Sequence, residues 1–235
     1  MKTIHNLLIA LGFLSLILLA VSGLLYQAEI LTLGASFTLL RWSAYLAAGM
    51  VVLNLILYIF KRPKGARAGL SALSIIAAAI AFYLPYSFYQ TAQSVPPIHD
   101  ISTDLINPPK FDAIAPLRAD ASNPVEYPGE ETAEQQREAY PDLETYITDE
   151  DVDAVFAKAL QAANDMGWEV VASNAEEGRI EATDTTTWFG FKDDVVIRIQ
   201  QVEGQTHLDI RSKSRVGRSD VGKNAERIRE YLAKL

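Results

Sequence analysis

The chain has no cysteine among its 235 residues and only three histidines. Without cysteine it can form no disulfide and offers no thiolate for catalysis or metal binding. It also has no Gly-x-Ser-x-Gly sequence, the turn that presents a nucleophilic serine in many hydrolases. These absences argue against nucleophilic catalysis, although they do not identify the compartment.

Charged residues are missing from three long stretches near the N-terminus, at residues 3–28, 42–60 and 68–95. A helix needs roughly 20 apolar residues to cross the hydrocarbon core of a bilayer. The sequence therefore predicts three transmembrane helices, at about residues 6–26, 39–60 and 69–89, within an anchor that covers residues 1–95. No span has an ionisable residue at its centre, which favours an anchor over an ion or proton pathway.

The sequence allows two alternatives to this anchor. The first span could be a cleaved signal peptide, because Lys2 precedes it and small residues lie near its end. A signal peptide has a shorter apolar region, of about 7 to 15 residues, which disfavours that reading. A single span could also be the core helix of a soluble fold, but three consecutive spans make this improbable.

The basic residues predict the orientation of the anchor. The loop between the second and third spans carries Lys61, Arg62, Lys64 and Arg67, whereas the first loop carries only Arg41 at its far edge. Loops rich in lysine and arginine remain in the cytoplasm. We therefore expect a cytoplasmic N-terminus and a C-terminal domain outside the cytoplasm.

Residues 96–235 are acidic, with 15 basic against 28 acidic residues and so a net formal charge of −13. This charge disfavours nucleic acid as a partner. Eight of the ten prolines lie between residues 96 and 141, which excludes long helices and central strands there. Residues 96–147 are therefore predicted to be an extended wrap that packs on a sheet, with a disordered linker as the alternative.

Regular structure is predicted for residues 148–235. A helix should start at Thr148, with Asp151 three residues on, and end at Gly167. Four strand-like runs follow at residues 168–173, 179–187, 194–202 and 205–215, and a last helix begins near Ser219. The predicted fold class is a membrane-anchored α+β protein, in which three transmembrane helices precede a four-stranded antiparallel sheet and two helices.

Three sequence strings, at residues 96–104, 179–194 and 214–224, closely resemble the family called domain of unknown function 1499. The resemblance covers residues 96–235 and implies a bacterial envelope protein from a family that also occurs in plastids. An N-terminal membrane segment is a common but variable attachment there. Together with the three predicted spans and their orientation, the resemblance predicts a multi-pass inner-membrane protein with a periplasmic domain. The resemblance implies no established activity.

A group of cations precedes the last predicted helix, and its members are Arg211, Lys213, Arg215, Arg218 and Lys223. Together with the free N–H groups at a helix start, they could bind a phosphate or carboxylate. The alternative is that the acidic domain pairs them with its own carboxylates.

A second candidate group combines His99, Asp100 and Asp104, whose imidazole and carboxylates suit acid–base catalysis or a divalent metal. The alternative is that the two aspartates cap turns and the histidine bonds locally. No catalytic residue, cofactor or metal is assigned from the sequence.

The sequence therefore predicts a binding module that takes an envelope component or partner protein through its polar sheet face and the basic segment 211–223. The alternative is an envelope enzyme that acts on an anionic lipid or glycan. A deep pocket that joins His99, Asp100 or Asp104 to Arg211 or Arg215 would favour the enzyme. Arginines paired internally on a shallow face would favour the binding module.

Overall fold

The computed structural model describes residues 2–235 and separates into two compact units. The first unit contains the residues up to Thr91 together with the loop Thr187–Gly190. The second contains Ala92–Thr186 and Phe191–Leu235.

The first unit is built from three helices, α1 (Lys2–Gln27), α2 (Leu33–Lys61) and α3 (Ala66–Ser94). Each is long and apolar enough to cross a membrane. The three predicted spans lie inside these helices. Thr32 caps α2 by accepting the N–H of Ala35 at 3.3 Å, and Arg62 ends it in a left-handed conformation.

Small and polar side chains fill the interior of this unit. Ser74 of α3 donates to the carbonyl of Ile9 at 2.9 Å, and Asn54 of α2 donates to that of Leu8 at 3.0 Å. Gly12 permits the close approach of α1 and α3, because a Cβ there would lie 2.2 Å from Ser74 Oγ. These bonds between helices are the expected way for polar groups to join apolar helices.

The second unit contains six strands, where the sequence predicted four. They are β1 (Asp100–Ser102), β2 (Tyr146–Thr148), β3 (Glu169–Asn174), β4 (Arg179–Thr185), β5 (Lys192–Val202) and β6 (Gln205–Ser214). The antiparallel order is β1-β6-β5-β4-β3, and β2 also pairs with β6. Both additional strands have three residues, too few for alternation to reveal them.

Helices α5 (Val152–Asp165) and α6 (Lys223–Leu232) share the apolar core with one face of this sheet. The predicted helix starts were wrong. Thr148 belongs to β2, and Asp151 caps α5 by accepting the N–H of Asp153. The last helix starts at Lys223 and not near Ser219, because Gly222 before it has a φ of 81°.

The proline-rich segment packs on the opposite face of the sheet, where Phe111 and Ile114 meet Val196 of β5. It also contains a short 3-10 helix, Ala115–Arg118, and helix α4 (Glu130–Ala139) between Pro128 and Pro141. The segment is therefore less extended than the sequence predicted. Within this segment, residues 103–127 bury much of the polar sheet face, and from here on we call only these residues the wrap.

Candidate functional site

Asp100 lies at the centre of a buried charge cluster under the wrap. Its carboxylate is fully buried and accepts bonds from Arg211 Nε at 2.9 Å, Arg211 Nη2 at 2.8 Å and Lys213 Nζ at 2.8 Å. The pairing of β1 with β6 produces this contact, since Asp100 lies opposite Lys213. The strand register therefore brings together residues from both predicted site groups.

The same two cations also bind carbonyl groups of the wrap. Arg211 donates to the carbonyls of Pro109 and Val125, and its guanidinium lies 5.1 Å from the centre of the Phe111 ring. Lys213 donates to the carbonyl of Glu126 at 2.5 Å. Burial lowers the pKa of Lys213, and the neighbouring Asp100 carboxylate opposes that shift. These contacts show that Arg211 and Lys213 tie the wrap to the sheet.

Asp194 forms a second buried cluster. It accepts two bonds from Arg215, both at 2.8 Å, one from Arg118 at 3.1 Å and one from Thr183 at 2.8 Å. Burial lowers the pKa of Arg118, although the Asp194 carboxylate opposes this shift. Arg215 is therefore paired with a carboxylate of the same domain. The alternative to an anion site predicted this internal pairing.

The other two predicted cations lie on the surface, apart from these clusters. Lys223 forms a surface ion pair with Glu226. Arg218 is exposed, and its carbonyl oxygen lies 3.3 Å from Nδ1 of His99. The five cations therefore do not converge on one open site.

The group of His99, Asp100 and Asp104 is also divided by the fold. Asp104 caps a turn, because its Oδ1 accepts the N–H groups of Ile106 and Asn107 at 2.9 Å each. Burial would raise the pKa of Asp104, but these bonds and the Arg198 guanidinium lower it below the ordinary value. Among residues 2–235 no three such ligands gather in a way that could hold a metal ion.

The sequence did not predict the open cleft, of about 570 Å³, that lies at the edge of the wrap. It is lined by Asp104, Ile106, Asn107, Pro108, Pro109, Lys110, Glu177, Arg179, Val196, Arg198 and Gln200. The side chains at positions 196, 198 and 200 of β5 share one face of the strand, and we call this space the wrap cleft. It contains Asp104, but none of the other predicted site residues.

Two arginines lie in this cleft. Arg179 of β4 is the direct cross-strand neighbour of Arg198 of β5. Arg198 donates to Asp209 at 2.7 Å, to Asp104 at 2.8 Å and to the Asn107 carbonyl at 2.9 Å. Burial would lower the pKa of Arg198, but these carboxylates raise it above the ordinary value.

The second arginine has its own carboxylates. Arg179 donates to Asp112 at 3.0 Å and forms ion pairs with Glu177 at 2.6 Å and Glu181 at 3.4 Å. The two strands were predicted as neighbours in one antiparallel sheet, and their register brings these arginines together. The exact register, and with it this pair, was not predicted.

The sequence profile of a family described as "Protein of unknown function (DUF1499)" matches residues 100–235. No curated protein matches the chain at a significant level.

Proposed function

Because the chain belongs to the DUF1499 family, whose description names no activity, we propose its function from its own side chains. We infer a membrane-anchored binding module that takes an envelope component or a partner protein in the wrap cleft. The observation that carries this proposal is an open cleft beside buried charge clusters that are already paired internally.

We further propose that α1, α2 and α3 anchor the chain in a bacterial inner membrane. The basic loop between α2 and α3 would remain in the cytoplasm, which leaves the C-terminal domain in the periplasm. The support is the difference in positive charge between two loops. Four basic residues lie in or beside this loop, Lys61, Arg62, Lys64 and Arg67, whereas the loop between α1 and α2 contains none.

An enzyme that acts on an anionic lipid or glycan has less support. Asp100 is fully buried and both its oxygens accept bonds from cations, so it cannot reach a substrate. Asp104 is held by Arg198 and by two backbone N–H groups. Two of the three acid–base candidates, Asp100 and Asp104, are therefore held in contacts within the fold, which weakens the enzyme hypothesis.

A tryptophan placed in the cleft tests this proposal without breaking an ion pair. Gln200 is exposed and lines the cleft, whereas the adjacent Gln201 is exposed on the other side of β5. Three full-length proteins are purified in native lipid: the parent, Gln200→Trp and Gln201→Trp. Mass spectrometry identifies the molecules that remain bound to each protein. We expect Gln200→Trp to lose a molecule that the parent and Gln201→Trp both retain. Identical retained molecules in all three would contradict cleft binding.

A further inference from the structure

The turn between β4 and β5 is apolar and aromatic, although it comes from an acidic domain. Residues 185–191 contain no charged residue and include three aromatic ones. Hydrogen bonds close the base of the turn, where the Thr186 N–H donates to the Phe191 carbonyl and the Phe191 N–H donates to Thr186 Oγ1, both at 2.9 Å. We call residues 187–190 the hairpin tip, and these residues belong to the first compact unit, with the three long helices.

Trp188 of the hairpin tip contacts α1 inside the first predicted membrane span. Its indole N–H donates to the Ala20 carbonyl at 3.0 Å, and its ring packs against the apolar cluster of the helices that contains Leu19. Ala20 lies seven residues before the end of α1 at Gln27, which is about 10 Å along the helix axis. The hairpin tip therefore reaches past the end of the helix towards the middle of the span.

Phe189 of the hairpin tip lies between α1 and α2. Its side chain is buried, and the centre of its ring lies 5.6 Å from that of Phe37 in α2 and 6.1 Å from that of Tyr26 in α1. Gly23 of α1 leaves room for the tip, because a Cβ there would lie 2.6 Å from Trp188 Cδ1. The first unit therefore holds the tip at a defined position on its helices.

The helix ends that the hairpin tip contacts agree with the topology proposed above. If each of the three helices crosses a bilayer once, α1 ends, α2 begins and α3 ends on the same side. The tip contacts α1 near its end and α2 near its start. The chain can therefore leave the membrane after α3 and return to the same side of it through the hairpin tip.

The part of the hairpin tip that the helices leave open suits lipid. Trp188 is only partly buried and Thr187 is exposed. An indole is favoured where the hydrocarbon meets the headgroups, because its ring is apolar and its N–H is polar. We propose that the hairpin tip inserts into the lipid bilayer as a fourth membrane element, docked on α1, with Trp188 against the acyl chains. This proposal rests on the membrane anchor proposed above and assigns a lipid contact to residues 100–235.

The test uses the fluorescence of the three tryptophans, Trp42, Trp168 and Trp188, in the full-length protein. The protein is reconstituted in vesicles of phosphatidylcholine and phosphatidylglycerol whose acyl chains carry bromine as a quencher. Trp42 of α2 is 63% exposed and should face lipid, whereas Trp168 is 5% exposed in the core of the sheet and supplies an unquenched background.

We expect Trp42→Phe to remain quenched by brominated lipid, because Trp188 still contacts the acyl chains. The double variant Trp42→Phe/Trp188→Phe should lose most of this quenching. Bromine close to the headgroup should quench Trp188 more strongly than bromine at the end of the chain, since the tip enters from the membrane surface.

Two glycine variants test whether α1 holds the hairpin tip. In the Trp42→Phe protein, Gly23→Leu places a side chain against Trp188, whereas Gly34→Leu adds one to α2 at a position where a Cβ has no neighbour within 4 Å in the described chain. We expect Gly23→Leu to reduce quenching by brominated lipid and to increase quenching by acrylamide in the water. Gly34→Leu should change neither. Circular dichroism confirms that both variants keep their helices.

The proposal is overturned if removal of Trp188 leaves the quenching by brominated lipid unchanged, or if Gly23→Leu and Gly34→Leu are quenched alike. The anchor is tested separately by Trp188→Phe, in which Trp42 remains in α2. Strong quenching of Trp42 with none of Trp188 would leave the anchor standing and remove only the insertion of the tip. If neither tryptophan is quenched, both proposals fail.

Discussion

At the scale of single residues, Tyr127 reports on the charge cluster under the wrap. Its ring lies 5.4 Å from the Arg211 guanidinium, and its buried hydroxyl makes no hydrogen bond within the described residues. Burial, and then the negative charge of Asp100, raise its pKa to about 12. The folded protein therefore holds the phenolic proton more firmly than the unfolded chain, in which the pKa of tyrosine is about 10.

We predict that Tyr127→Phe reduces the loss of stability at alkaline pH. The parent keeps the full contribution of this proton below about pH 10 and loses it as the pH rises towards about 12. Because Tyr127 is only half-buried, we expect a difference of about 1 kcal/mol after solvent screening. Urea unfolding of the full chain in detergent, from pH 8 to pH 11.5, measures it. Equal slopes of stability against pH for both proteins would contradict the assignment.

At the scale of structural elements, Glu181 holds the beginning of the 3-10 helix in the wrap. This buried residue of β4 accepts the N–H groups of Asp112 at 3.0 Å, Ala113 at 3.2 Å and Ile114 at 2.8 Å. Successive N–H groups that point at one carboxylate form an anion-binding concavity. Here a side chain of the sheet occupies it, so the wrap depends on a charge in another element.

We predict that Glu181→Gln loosens the wrap while the helical face of the sheet stays intact. The amide has nearly the same shape, but it loses the charge and points an NH₂ group at N–H donors, which costs about 1 to 3 kcal/mol. Hydrogen exchange should rise at residues 112–118 and stay unchanged in α5. Glu169→Gln, at an exposed position of β3, is the control. Equal protection of residues 112–118 in both variants would contradict this role.

The same elements show how far the sequence predicts the fold. The helices α1 to α3 and the strands β3 to β6 were predicted because each carries a long local pattern. The strands β1 and β2 were missed because each has only three residues and depends on β6 as its partner. The ion pair between Arg211 and Asp100 and the cross-strand position of Arg179 opposite Arg198 depend on the exact strand register, which was not predicted from the sequence.

At the scale of the whole molecule, the proposed function depends on which side of the membrane each unit faces. The chain has no cysteine, so a single introduced cysteine provides an unambiguous label. Lys64 in the basic loop and Lys234 near the C-terminus are both exposed and suitable for this change. The proposed topology places them on opposite sides of the bilayer, since α3 crosses it between them.

We predict that a membrane-impermeant maleimide labels Lys234→Cys in intact spheroplasts and labels Lys64→Cys only after lysis. The physical reason is that translocation of four positive charges in so short a loop is unfavourable against the membrane potential, whereas the acidic domain meets no such barrier. Labelling of Lys64→Cys alone before lysis would invert the topology and place the wrap cleft in the cytoplasm. An envelope component could then not reach the cleft, and a cytoplasmic molecule would be its ligand.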